Sequence, residues 1–265
     1  MLPIAPNYTL IQAAVLECAY AGCDNIWIVC NDDTAPVVRH TVGDYVEDPI
    51  YFYNRSTRTS DTRRRIPIFW VPVHPKDRDR RDCLAWSVIY GALTALKVTS
   101  QISKWTIPDK YYVSFPYGVS KPDQVWKSRK TIRSMKNFYT VSNGLTIQDN
   151  LHTSFTFGKE EFIKYRRNIR KGTGVYTTEV VDERGIPRSK MPLEERWSAR
   201  FFELKDVFVD LDLENSSVLD IEFYNVSTWK EYLAFMASPY AQVIKVPPKE
   251  LFSYKEFNPI AKDVN

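Results

Sequence analysis

Residues 9–32 read TLIQAAVLECAYAGCDNIWIVCND, and this stretch decides the fold class. Thr9 and Gln12 stand at the T-x-x-Q spacing of a capping box, in which two side chains satisfy free N–H groups at a helix start. Leu10, Ile11, Ala14, Val15 and Cys18 then recur along one helix face, and Gly22 can close the helix. Between Asn25 and Asn31 no polar side chain interrupts the run, which is the pattern of a strand covered on both faces by helices. Asn31 and Asp32 mark its exit. The unit is α/β, and it begins with a loop and a helix where a strand would be expected to come first.

The same alternation continues outward. IPIFWVPV (66–73) reads as a second strand, DCLAWSVIYGALTALKV (82–98) as a helix with Leu84, Val88, Gly91 and Ala95 on its apolar side, and KYYVSFPYGV (110–119) as a third strand. Strand, helix and strand in succession are the rhythm of a parallel sheet. Residues 34–65 are expected to be loop-rich, with a short helix within 35–47 and an exposed insertion at YFYNRSTRTSDTRRR (51–65). Further strands are expected at 136–142, 152–158 and 217–226. Helices are expected at 159–171, ended by Gly172 and Gly174, at 200–213, and at 228–238 behind a Ser227 or Thr228 cap. Residues 1–238 form one expected domain, and the Pro- and Lys-rich 239–265 a C-terminal extension that packs on it or on a partner.

With 265 residues, 44% hydrophobic and 14% aromatic, the chain can bury a sizeable core and is not expected to be disordered. The formal net charge is +4. Its basic runs, TRRRIP (62–67), KDRDRRD (76–82) and KYRRNIRK (164–171), are short and diluted, so they read as solvated faces and nucleic acid is not an expected partner. Cys18, Cys23, Cys30 and Cys83 show no CxxC pair and no His at metal spacing, which argues against zinc and for reduced thiols. No apolar run reaches the length of a membrane span and no leader pattern opens the chain, so a cytoplasmic protein is expected.

Four segments taken together resemble the sugar-phosphate nucleotidyltransferases. MLPI and the LIQAAVLECAYAGCDNIWIVCND that follows resemble the segment after that family's signature loop. DCLAWSVIYGAL (82–93) sits where the base-reading loop enters a helix, which makes Asp82, Cys83, Leu84, Ala85 and Trp86 the candidate nucleotide cleft. YYVSFPYGV (111–119) is similar to the central strand that ends in a metal ligand, and DIEFYNVSTWKEYLAFMAS (220–238) to the strand, turn and helix carrying the second. The resemblance implies a three-layer α/β sandwich with a mostly parallel central sheet. It also implies a reaction between a nucleoside triphosphate and a sugar 1-phosphate that releases pyrophosphate, with Mg²⁺ held by two carboxylates.

Three parts of that pattern are absent from this sequence. No first strand and Gly-rich phosphate loop precede Leu2. The family's two carboxylate positions hold Tyr117 and Asn225. A phenol keeps its proton to a pKa of about 10, and an amide oxygen supplies no charge, so neither is a good Mg²⁺ ligand. The expectation is a nucleotidyltransferase-like protein whose activity is weakened or lost and which binds a nucleotide or sugar nucleotide. Three alternatives stay open: an active enzyme in a longer chain, a non-catalytic protein that binds a protein partner or its own copy, and a glycosyltransferase. For the last, the acidic pairs DLD (210–212) and DRD (77–79) are the only candidates, and neither lies at a strand end.

The remaining polar groups read as structural. Asp109 is a turn residue, Asp123 a helix cap, and Asp220 and Glu222 one polar face of a strand. His74 and His152 are expected to be satisfied structural histidines and His40 an exposed one. Asn143–Gly144 is a tight-turn signal. Trp70, Trp86, Tyr90, Trp105, Tyr111 and Tyr112 are expected in the core.

Overall fold

The computed structural model describes residues 1–53, 64–74, 77, 83–102, 107–174 and 202–253, with the side chains of 170–174 left aside. The chain opens with a small hairpin, β1 (Pro3–Ala5) and β2 (Tyr8–Thr9), which turns through Asn7 at φ 57°. Helix α1 (Leu10–Ala21) follows. Gln12 Oε1 accepts from the Thr9 backbone N–H at 2.9 Å, and Gly22, at φ 90°, bonds back to the Cys18 and Ala19 carbonyls. Both ends of α1 are therefore those expected from Thr9, Gln12 and Gly22.

Strand β3 (Ile26–Cys30) is the edge of a three-stranded sheet. It runs parallel to β5 (Arg65–Pro72), whose other side takes β4 (Tyr45–Glu47) antiparallel. A second sheet has the order β10 (Ser217–Asp220), β8 (Phe138–Val141), β9 (Phe155–Gly158), β6 (Lys110–Val113). A two-stranded ribbon pairs β7 (Gly118–Ser120) with β11 (Phe223–Asn225). The molecule is thus mixed α/β with several sheets. Parallel pairing is confined to β3 with β5 and β8 with β10, and the other pairings among the described residues are antiparallel. That differs from one mostly parallel sheet.

Two helices clamp the sheets from opposite faces. On one side, Ile26 and Ile28 of β3 share a core with Leu10, Val15, Leu16 and Ala19 of α1. On the other, α4 (Leu84–Lys97) lies so close to β3 that a Cβ on Gly91 would stand 2.7 Å from Val29 Cγ2, so only glycine fits at that crossing. The same α4 packs Ala85, Trp86, Ile89 and Ala92 against Val113, Phe155 and Phe157 of the second sheet. Between the edges of β3 and β6 the sheets do not meet, and a cavity of about 870 Å³ separates them.

Several expected elements are redrawn. Within 34–65, α2 (Ala35–Val42) is followed by β4 and by the short α3 (Pro49–Tyr53); residues 54–63 of the expected insertion lie outside the described residues. The strand expected over 110–119 divides into β6 and β7, and that over 217–226 into β10 and β11. Helix α5 (Pro122–Ile132) follows β7, and α6 (Lys159–Gly174) runs past Gly172 and has Gly174 as its last described residue. Among the described residues of the 200–213 helix, only Leu204–Val207 are helical, as the single turn α7, although Leu204, Val207, Phe208 and Leu211 are all buried in one cluster; residues 200 and 201 lie outside the described residues. Helix α8 (Trp229–Met236) starts on a Thr228–Glu231 capping box as expected.

In the extension, a short α9 (Pro239–Gln242) precedes a return to the first sheet. Phe252 bridges Val46 of β4, and Ser253 Oγ accepts from the Asp44 and Tyr45 N–H groups at 2.7 and 2.8 Å. No helix among the described residues is long and apolar enough to cross a membrane.

Candidate nucleotide cleft

Strand β6 cannot run directly into β7, because Pro116 has no N–H to give a ladder. The chain turns instead through Ser114–Tyr117 and re-enters as β7, where Gly118 lies opposite Asn225 of β11. The Val226 N–H donates to the Tyr117 carbonyl at 2.8 Å. A Cβ on Gly118 would fall 1.9 Å from the Phe223 ring, so the ribbon requires glycine there. Tyr117 and Asn225, more than a hundred residues apart in sequence, are brought together by this ribbon, just beyond the end of β6.

His152 completes the group. Its ring lies 5.0 Å from that of Tyr117 and 5.7 Å from that of Phe115, the latter edge-on. Burial lowers its pKa, and the nearby Glu231 carboxylate only partly opposes this, so the imidazole is neutral near pH 7. Nδ1 of His152 and Oδ1 of Asn225 are both buried without a hydrogen-bond partner.

Glu231 is the charged member. Desolvation acts to raise its pKa, but hydrogen bonds from Thr228, Ser227 and Asn225 outweigh it and hold the carboxyl below its ordinary value. Its partners are the Thr228 N–H and Oγ1, both at 2.9 Å, Ser227 Oγ at 3.0 Å and Asn225 Nδ2 at 2.8 Å. Its oxygens are already committed to capping α8.

Mg²⁺ does not fit these residues. A phenol, a neutral amide and a saturated capping carboxylate offer one free hard oxygen, Oδ1 of Asn225, where the ion prefers several and at least one charge. Among the described residues no three or more His, Cys, Asp and Glu side chains cluster as a metal site. The nearby acids are placed differently from the sequence expectation: Lys121 and not Asp123 is the N-cap of α5, and Glu222 lies between β10 and β11 and not on a strand face with Asp220. Asp123 lies in the first turn of α5, with Lys127 at 3.6 Å, and Glu222 bonds Lys121 and Tyr224. Asp220 is exposed at the end of β10. Asp210 takes a bond from Asn168 and Asp212 from Asn215, so the DLD pair holds turns together; Arg78 and Asp79 of DRD lie outside the described residues.

The start of α4 is the other half of the expected cleft. Cys83 is its N-cap, with Sγ accepting from the Trp86 N–H at 3.4 Å. Leu84 lines the same cavity as Phe115 and Pro116, which precede Tyr117 in the turn after β6. Ala85 and Trp86 face the core instead, and Asp82 lies outside the described residues. Of the aromatic residues expected in the core, Trp86 is buried and stacks on Tyr90, while Trp70, Tyr90, Tyr111 and Tyr112 are only partly buried at its margin, Tyr111 against Phe157; Trp105 lies outside the described residues.

Residue reading alone misses Glu17. It sits on α1 amid apolar neighbours, half-buried, and accepts from Tyr112 Oη at 2.7 Å. Desolvation raises its pKa, although the Tyr112 hydrogen bond and the neighbouring Ser120, Ser114 and Ser154 hydroxyls oppose the rise. The signal was present, since an acid inside LIQAAVLECAYA breaks an apolar helix. No protein-family model matches this chain, and no curated protein matches it in sequence.

Proposed function

We propose that the chain is a nucleotidyltransferase-like protein that binds a nucleotide or sugar nucleotide without metal-dependent transfer. The observation that carries this reading is the β7–β11 ribbon. It puts Tyr117 and Asn225, the positions at which the resemblance expects two metal carboxylates, next to each other past the end of β6, with the neutral His152 ring tilted 5.0 Å from that of Tyr117. Ligands of α/β folds commonly bind beyond the carboxyl ends of strands, which is where this group and the start of α4 lie. Under this reading the two larger sheets are halves of a nucleotide-diphospho-sugar-transferase layout, with β3 and β6 its inner strands. The four cysteine thiols fit a reducing, cytoplasmic setting.

In place of a cation, the site offers hydrogen bonding and aromatic surface. The Tyr117 phenol, 39% of whose residue surface is exposed, can stack on a base or sugar and donate to a phosphate or hydroxyl oxygen. The test is thermal shift with nucleoside diphosphates, nucleoside triphosphates and nucleotide sugars, with and without Mg²⁺, beside a pyrophosphate-release assay. Metal-independent stabilisation without pyrophosphate release is the expected result. Pyrophosphate release that requires Mg²⁺, or no shift with any of these ligands, overturns it.

A further inference from the structure

We infer that Cys18 and Cys23 are a redox modification site: they close into a reversible disulfide across the end of α1 when a low-molecular-weight disulfide reaches them. Helix α1 ends in a Schellman motif. The Cys23 N–H donates to the Cys18 carbonyl at 3.1 Å, the Gly22 N–H donates to the Ala19 carbonyl at 3.1 Å, and Gly22 takes the left-handed φ of 90° that the motif needs. In such a motif the two residues joined by the outer hydrogen bond turn their side chains toward one another. Here both are cysteines. The outer bond also holds their backbones within the Cα separation of roughly 4.4–6.8 Å that a disulfide bridges.

The surroundings hold the pair in place and leave it reachable. Both residues are half-buried, and both line the cavity between β3 and β6, so the two thiols border one space. The Cys23 thiol is the largest cause of the raised pKa of Cys18, with burial second, as two adjacent thiols require. Helix α5 keeps the cap closed. Arg129 donates to the Ala19 and Tyr20 carbonyls, and a Cβ on Gly22 would stand 2.8 Å from Arg129 Nε and 2.9 Å from Arg133 Cδ. The other two cysteines have different settings: Cys30 ends β3, and Cys83 caps α4 with its Sγ accepting from the Trp86 N–H.

The exchange runs in two balanced steps. Cys23 gives up its proton and attacks one sulfur of the reagent; the reagent S–S bond breaks, a mixed disulfide forms on Cys23, and the first reagent thiolate leaves and takes up a proton. Cys18 then gives up its proton and attacks the Cys23 sulfur, and the second reagent thiolate leaves and is protonated in turn. The two protein thiols lose two electrons, and the reagent disulfide gains them as two thiols. Cys23 is the first nucleophile because the Cys18 thiol is held in its protonated form and Cys23 stands beyond the helix end. In a reducing setting the pair rests as thiols, and it closes when the surroundings turn oxidising. Closure requires no nucleotide and is expected whether or not one binds.

The experiment treats the folded protein with oxidised glutathione, blocks the remaining thiols with N-ethylmaleimide, and cleaves after Glu17 and before Asp24, so that residues 18–23 are weighed apart from Cys30 and Cys83. The expected result is a Cys18–Cys23 bridge, formed about 10-fold or more in preference to any bridge that uses Cys30 or Cys83 and reopened by dithiothreitol. Cys18→Ser should instead trap glutathione on Cys23, and Cys30→Ala should leave closure unchanged. In urea the cap is lost and the loops joining residues 18, 23 and 30 close with similar ease, so the preference over Cys30 should fall to about threefold or less. Folded protein that forms no 18–23 bridge, or that prefers Cys30 or Cys83, overturns the inference. A preference equally strong in urea overturns it too, because sequence spacing and not the cap would then be its cause.

Discussion

The Tyr112 hydroxyl donates to Glu17 Oε1 at 2.7 Å, a bond that ties α1 to a strand of the sheet it would otherwise only face. The carboxyl is buried and its pKa raised by desolvation, so the folded chain keeps a proton that the unfolded chain releases above about pH 4.3. Stability from this group is complete below that pH and is lost as pH rises through the folded value. Glu17→Gln keeps the shape and removes the charge. It should be the more stable protein at pH 8, by about 1–3 kcal/mol, with a flatter dependence between pH 5 and 8 in urea unfolding. A variant less stable at both pH values would contradict this.

His152 acts in the opposite direction. Burial lowers its pKa, so its contribution is present above about pH 6.5 and is lost as pH falls toward the folded value. The imidazole titration followed by NMR should have its midpoint below that of a free histidine. His152→Phe should remove the acid-side loss of stability in this window.

Asp48 is fully buried between two cations, with Arg129 at 2.8 Å and Arg64 at 3.3 Å, and it also accepts from the Ile50 N–H. Arg129 in turn donates to the Ala19 and Tyr20 carbonyls at the end of α1. Asp48→Ala leaves a guanidinium buried to 14% exposure without its anion and should cost about 3–5 kcal/mol in chemical denaturation. A loss below about 1 kcal/mol would show that water replaces the carboxylate.

Much of the first unit is legible because its signals are local. Thr9, Gln12 and Gly22 act within a few residues, and the apolar run of β3 needs no distant partner to be recognised. The division of 110–119 is harder to see, since YYVSFPYGV stays apolar while Pro116 interrupts the ladder. At 217–226 both halves carry a strand pattern, and only long-range pairing sends Ser217–Asp220 to β8 and Phe223–Asn225 to β7. In 200–213 the apolar spacing is real but is met by turns. Neither Tyr117 nor Asn225 carries a local sign that the β7–β11 pairing will bring them together, and His152 none that its ring will lie 5.0 Å from that of Tyr117.

The ribbon offers a double-mutant test. Gly118→Ala drives a methyl into the Phe223 ring and should cost about 1–3 kcal/mol or more. Phe223→Leu makes room, so the pair should be less destabilised than the sum of the two single variants. Additive losses would mean that the backbone shifts to admit the methyl.

Asn225→Asp places a carboxylate in hydrogen-bond contact with that of Glu231, where the amide donates at 2.8 Å. Two such groups cannot both ionise cheaply. The variant should melt lower than the parent near pH 7, and Mg²⁺ or Mn²⁺ at millimolar levels should restore part of the loss while leaving the parent unchanged. A parent that responds equally to the cation would contradict the reading of this site as metal-free.

The contact of Ser253 with Asp44 and Tyr45 spans more than two hundred residues, and Tyr232 reaches Pro3 over a comparable distance, its hydroxyl donating to that carbonyl at 2.6 Å. During synthesis the first sheet is therefore made long before the residues that bind β4 have left the ribosome. For that interval the nascent chain carries an unguarded strand edge, and its fate depends on how fast translation ends relative to capture by chaperones or by neighbouring nascent chains.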